Sequence, residues 1–275
     1  MLFKGFLLSL CGLLSFPLPV FAQQPVKDQE ILSKVLQHLQ AHYFRSLTPV
    51  ELQAKSLNEL FSKLDKETHL EPAKPSELDF VRGLKEEKSI ARVERFENHV
   101  GYVQISFLGR RTAHDFDKVL SRFIRDGVQN LILDLRGNPG GSLNSGIGVI
   151  EHLIPSGKLL FTFYGQGGVE TKEYSQGTKI EPIKVTVLID RKTASTAEMM
   201  ADALKRYAYA QLIGEPTYGK RSVQGTFPVD PFHTLFLTTG HFVLPEESQI
   251  KIQPDVRASS GECLQKALRI ITGKG

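Results

Sequence analysis

Tryptophan is absent from this 275-residue sequence, cysteine occurs only twice, and no long block of like charge interrupts it. Two cysteines are too few for a disulfide-dense scaffold. The 34 basic and 30 acidic residues leave a formal charge of +4 with no basic run, so composition gives nucleic-acid binding no support. Ordinary apolar (41%) and charged (23%) fractions exclude extended disorder and collagen-like repeats. The length allows one large domain or two small ones.

Long apolar runs are missing as well, except at the start. Met1–Ala22 carries one charge, Lys4, ahead of an apolar stretch that ends in Val20-Phe21-Ala22, the layout of a secretory signal peptide cut after Ala22. Pro17 and Pro19 shorten the uninterrupted run to well under the roughly 20 residues that a membrane span needs, which favours a cleaved leader over an anchor. Leu10, where a lipid-attachment site needs a small residue, speaks against modification of Cys11. Cleavage removes Cys11, so Cys263 has no partner for an internal disulfide and is expected as a buried thiol. The expected location is periplasmic or secreted, with no stable membrane span after signal cleavage.

Downstream, residues 28–43 place Ile31, Leu32, Val35, Leu36 and Leu39 at helical spacing. Thr48-Pro49-Val50-Glu51 forms a capping box with proline at the first helical position. Leu57, Leu60, Phe61 and Leu64 continue the helical pattern, and a short helix is expected from Ser76. These features predict a helical segment over 23–87. From residue 88 to 275 strands and helices alternate. Strands are expected at Ile90–Phe96, Val103–Phe107, Asn130–Leu135, Leu159–Tyr164, Ile183–Ile189, Ala210–Ile213 and Ser222–Val229, with further β segments to Leu244. Thr112 and Asp115 are expected to cap a helix with the stripe Phe116, Val119, Leu120, Phe123 and Ile124, which Gly127 stops. Further helices are expected from the Gly140-Gly141 turn to Ile154, at Thr193–Tyr207 and at Gly261–Thr272. The alternation predicts an α/β (α+β) fold, with helices packed on a sheet.

Three segments carry candidate chemistry. In Leu133-Asp134-Leu135-Arg136-Gly137-Asn138-Pro139-Gly140-Gly141 a buried strand opens into a glycine turn, whose N–H groups can hold a phosphate or an oxyanion, or which simply connects strand to helix. In Ile189-Asp190-Arg191-Lys192-Thr193-Ala194-Ser195-Thr196-Ala197-Glu198 a strand gives way to a helix, and Ser195 is either an exposed hydroxyl or an N-cap. Gly214-Glu215-Pro216-Thr217-Tyr218-Gly219-Lys220 begins like a P-loop. Arg221 occupies the magnesium-binding Ser/Thr position, however, and a strand follows instead of a helix, which speaks against nucleotide binding there and leaves it as a minor alternative. Gly140-Gly141-Ser142-Leu143-Asn144 lacks the final glycine of a nucleophile elbow. His38 and His42 share a helix face without further metal ligands and are expected to pack.

In order, "SLNELFSKLDKETHL", "LILDLRGNPGG", "VLIDRKTASTAEMMADAL", "LIGEPTYGKRSVQG" and "IQPDV" resemble the N-terminal helix and acidic turn, the strand-and-turn, the nucleophile segment, the lysine segment and a late β segment of the carboxyl-terminal-processing (tail-specific) serine proteases. The resemblance runs from about Ser56 to Val256. It implies a layered catalytic core of crotonase/ClpP-like ββα character, with Ser195 as nucleophile, Lys220 as general base 25 positions later, and Gln224 orienting the lysine. It also implies an oxyanion hole made by the N–H of Thr196 and one from Gly140-Gly141. Lysine acts as a base only when neutral, which needs its pKa brought from about 10.4 toward 7–8. A largely dry pocket around Lys220 is therefore expected. The implied activity is serine endopeptidase action on extended or partly unfolded proteins or peptides, without metal or cofactor. The alternative is a catalytically inactive peptide- or ligand-binding protein on the same fold.

The sequence departs from that family in four places. Only 19 residues, Glu71 to Ser89, stand where a PDZ domain usually sits, and a domain needs at least about 50, so no PDZ domain is expected. Arg206 occupies a position eleven after the serine that is acidic in some members. Asp202 and Arg221 replace small residues and are expected to narrow the cleft. The N-terminal helices are candidates for a homodimer contact.

Overall fold

The computed structural model describes residues 24–73, 88–177, 182–245 and 250–273. The leader over 1–22, the helix expected from Ser76 and most of the segment where a PDZ domain would sit lie outside them. Among the described residues no separate PDZ module is present, and two sheets with packed helices form an α/β layered core.

The first sheet has six strands. β2 (Ile90–Phe96) pairs antiparallel with β3 (Val100–Ile105), and β4 (Asn130–Asp134), β7 (Lys184–Ile189), β8 (Gln211–Gly214) and β11 (Val256–Arg257) follow in parallel. Apolar residues fill Leu131–Leu133 of β4 and, apart from Thr186, Val185–Ile189 of β7 because both faces are covered. Leu131 and Leu133 point into one core with α4 (Thr112–Arg125), α5 (Leu143–Ile150) and α6 (Thr196–Tyr207). Ile132 and Leu188 point to the other face, where α7 (Cys263–Thr272) buries Cys263 and Ala267. Burial pushes the Cys263 thiol pKa up, as befits a packing cysteine.

The second sheet is antiparallel. The long β10 (His233–Val243) pairs along one edge with β9 (Ser222–Asp230). Its other edge is shared by β1 (His69–Pro72) and β5 (Leu159–Gly165), and β6 (Glu170–Tyr174) adds to β5. Helix α1 (Gln24–His42) lays Ile31, Leu32, Val35 and Leu39 over Val229, Leu235 and Leu237. His38 and His42 pack on Phe227 with ring centroids at 5.2 and 4.6 Å. The short α2 (Pro49–Leu52) has the expected capping box on Thr48 and Glu51, and α3 (Leu57–Phe61) follows.

Several expectations need correction. Thr112 is not a cap: it is the first residue of α4, and its hydroxyl accepts from the Gly109 N–H and donates to Ser89 Oγ. Helix α5 stops at Ile150 rather than Ile154, where Pro155 disfavours helical backbone in the residue before it. The helix expected from Thr193 begins at Thr196, because Asp190 and Thr193 are held in a tight turn first. The N-terminal segment is not wholly helical, since β1 joins it to β10.

Candidate active site

Strands β4, β7 and β8 are neighbours and run parallel, so the three motif segments leave the same edge of the sheet. Two buried polar residues join the first pair of loops. Asp190 Oδ1 accepts from the N–H groups of Gly137, Lys192 and Thr193 at 2.9–3.1 Å. Asn138 donates from Nδ2 to the Ile105 carbonyl, accepts the Gly140 N–H on Oδ1, and takes the Ala194 N–H on its own carbonyl at 3.0 Å. Gly140, at φ +98°, passes so close to the serine that a Cβ would meet Ala194 O and Ser195 Cβ at 2.9 Å.

Ser195 has φ 56° and ψ −124°, a conformation that side-chain-bearing residues rarely adopt. Ser195 is the N-cap of α6 and is placed in a capping box with Glu198, whose N–H donates to the Ser195 carbonyl at 2.8 Å. The Ser195 N–H donates to Glu198 Oε2 at 2.9 Å. Of the three amides considered for an oxyanion hole, that of Gly140 is engaged by Asn138. The N–H groups of Gly141 and Thr196 have no acceptor among the described residues, and both residues line the cleft beside Ser195.

The lysine segment reaches the same cleft from β9. Lys220 Nζ donates to Gln224 Oε1 at 2.8 Å, and Gln224 Nε2 donates to the Glu67 carbonyl at 3.3 Å. Strand alternation puts Ser222 and Gln224 on one face of β9, and Lys220, two residues before the strand, turns its amine to Gln224. Between the lysine and glutamine, the buried Ser222 hydroxyl has no hydrogen-bond partner among the described residues. Lys220 is half-buried, less enclosed than the dry pocket expected for it. Among the described residues no hydrogen bond joins Lys220 Nζ to Ser195 Oγ; such bonds are often long before substrate binds. The cleft has a volume of about 590 Å³, with walls that include Leu143, Phe161, Phe163, Met199 and Phe242 and the carboxylate of Glu173.

Neither Asp202 nor Arg221 lines this cleft, so the expected narrowing is not seen. Asp202 pairs with Arg206 one helical turn away at 2.8 Å. Arg221 sits 3.2 Å from Glu198 and over the Phe242 ring. Glu198 itself had no assigned role in the sequence. Fully buried, it accepts the Ser195 N–H and the Lys220 N–H on Oε2, and the Thr217 hydroxyl and the Gly219 N–H on Oε1. A glutamate three residues after a serine signals only a capping box, and nothing local shows that it reaches the lysine turn. Asn138 was likewise legible only as a turn residue.

Residues 99–258 match the model of Peptidase family S41. Carboxy-terminal processing protease CtpA of Bacillus subtilis is 33% identical over 169 residues, 60% of this chain and 36% of that protein. Carboxy-terminal processing protease CtpB of the same organism is 29% identical over 165 residues, 60% of this chain and 34% of that protein. The chain thus spans about a third of the length of these curated relatives. A solved lipoprotein structure from Streptococcus agalactiae shares the fold at TM-score 0.71 and 18% identity, covering 90% of this chain and 97% of that one. With the family model covering more than half of its length, the chain belongs to Peptidase family S41.

Proposed function

We propose that the protein is a serine endopeptidase that cleaves extended or partly unfolded polypeptides through a Ser195–Lys220 dyad. The observation that carries this reading is the Ser195 hydroxyl on a strained helix entry, in one cleft with a lysine held by Gln224. Neutral Lys220 takes the Ser195 proton as Oγ attacks the scissile carbonyl. The Thr196 and Gly141 N–H groups receive the oxyanion, and the lysine ammonium passes the proton to the leaving amine. Water, deprotonated by the same lysine, then hydrolyses the acyl-enzyme. The aromatic and aliphatic walls suit an apolar substrate side chain. Residues 1–22 act as a leader to the periplasm or exterior, 23–87 as an N-terminal unit and 88–275 as the catalytic core. Among the described residues no helix is long and apolar enough to cross a membrane.

Cleavage of casein by wild type and Ser195→Ala tests the reading. Turnover present in wild type and lost in the variant is expected; equal turnover would sink the dyad. That no hydrogen bond joins Ser195 Oγ to Lys220 Nζ among the described residues favours one rival, a peptide-binding protein on the same fold. Wild type and variant that bind a peptide alike, without cleavage by either, would establish it.

A further inference from the structure

The acidic turn Asp65-Lys66-Glu67-Thr68 has no part in the chemistry above, yet it touches the lysine's partner. Asp65 Oδ1 accepts from the Glu67 and Thr68 N–H groups at 3.0 and 3.1 Å and from the Thr238 hydroxyl at 2.9 Å. Asp65 Oδ2 accepts from the Thr68 hydroxyl at 2.7 Å and from Tyr43 OH at 2.9 Å. Thr68 Oγ1 in turn accepts the Thr238 N–H at 3.1 Å. Thr238 is the β10 residue opposite Gln224. The turn is therefore fastened to the sheet at the register position of Gln224, and the fastening sets its Glu67 carbonyl 3.3 Å from Gln224 Nε2.

We propose that Asp65 is a positioning residue for Lys220, acting through the Glu67 carbonyl on the side-chain amide of Gln224. The proposal rests on Lys220 being the general base. A carbonyl oxygen only accepts, so it selects the amide orientation that points Nε2 at Glu67 and Oε1 at Lys220. Oε1 also only accepts. A neutral lysine amine then gives Gln224 one N–H and keeps its lone pair for the Ser195 proton. With the amide reversed, Nε2–H would occupy that lone pair and idle the base. Burial pushes the Asp65 carboxyl up, but the hydrogen bonds from Thr68, Thr238 and Tyr43 outweigh it and hold the group below its ordinary range. The acceptor is thus ionised at neutral pH. Tyr43 lies just past the end of α1, so the N-terminal unit reaches the base through this turn.

Two measurements on the full chain test this. In casein cleavage, Asp65→Asn is expected to lower kcat about tenfold with KM within about twofold. In a Gln224→Ala background the same change should cost nothing further, because its effect runs through that amide. Losses that multiply in the double variant overturn the proposal. Independently of activity, the Gln224 side-chain NH2 pair in a 15N–1H correlation spectrum, assigned by its loss in Gln224→Ala, should move toward the position of free glutamine in Asp65→Asn. A pair that does not move overturns the proposal even if wild type proves inactive, whereas inactivity alone overturns only the peptidase reading. Should Asp65→Asn not fold, Thr238→Val, which removes one donor to Asp65, is expected to move the pair in the same direction and decides the matter.

Discussion

The two halves of the site are built on different principles. The serine half rises from adjacent parallel strands whose loops are stitched together by Asp190 and Asn138, both at most 9% exposed. The lysine half rides on β9, in the antiparallel sheet, and its side chains are only partly enclosed. The bonds of Asp190 and Asn138 run between the serine loops and to the sheet that carries them, and the Thr193 carbonyl adds one tie to the lysine segment by accepting the Tyr218 N–H. The lysine has no such frame. Its backbone is pinned by Glu198, and its side chain is aimed by Gln224 on the Asp65 turn. Alignment of the dyad therefore depends on a few ties between the sheets, with Glu198 the principal one.

The largest effect is expected where that tie is cut. Glu198→Ala leaves the N–H groups of Ser195, Gly219 and Lys220 and the Thr217 hydroxyl without their acceptor, and it deprives Arg221 of a carboxylate. Losing one partner of a buried ionic cluster typically costs about 3–5 kcal/mol, which urea unfolding of the variant measures. Proteolysis should be lost with it. A stability change under about 1 kcal/mol would show that the halves hold their positions without this carboxylate.

A smaller, local effect is expected within the serine half. In Gly140→Ala the new Cβ meets Ala194 O and Ser195 Cβ at 2.9 Å, on backbone at φ +98°. The serine elbow must shift away from the turn that carries Gly141, separating the two oxyanion donors. Loss of such a donor lowers kcat about 10²–10³-fold, and we expect a drop of that order on casein with the lysine strand unaffected. Unchanged kcat would mean that the serine half is the more yielding of the two, reversing the comparison.

The same contrast explains what could be read from sequence. Asn130–Asp134 and Lys184–Ile189 announce themselves as buried strands because helices cover both faces, leaving apolar runs that only Thr186 interrupts. The serine and lysine segments were legible because their residue types are restricted by chemistry. The strand Glu170–Tyr174 was not, since it is a polar edge held by backbone bonds to β5 alone and carries no alternation. Asp65 and Glu198 were hidden for a different reason. Each has a local partner that accounts for it as a turn or cap, and each acts through contacts far along the chain: Thr238 for Asp65, Gly219 and Lys220 for Glu198. Local pattern predicts the first kind of bond and is silent about the second.

The smallest effect probes the lysine half. Ser222 is 6% exposed, and its hydroxyl has no partner among the described residues although it lies between Lys220 and Gln224 in the chain. A buried hydroxyl left unbonded is destabilising, so Ser222→Ala should keep stability or raise it by up to about 1 kcal/mol in urea unfolding. If the Lys220–Gln224 bond already fixes the amine, kcat should stay within about threefold of wild type. A fall beyond about tenfold at unchanged stability would mean that the hydroxyl gains a partner once substrate enters. The lysine half would then be rearranging during turnover while the serine half stays fixed, and the difference between them would be one of motion as well as construction.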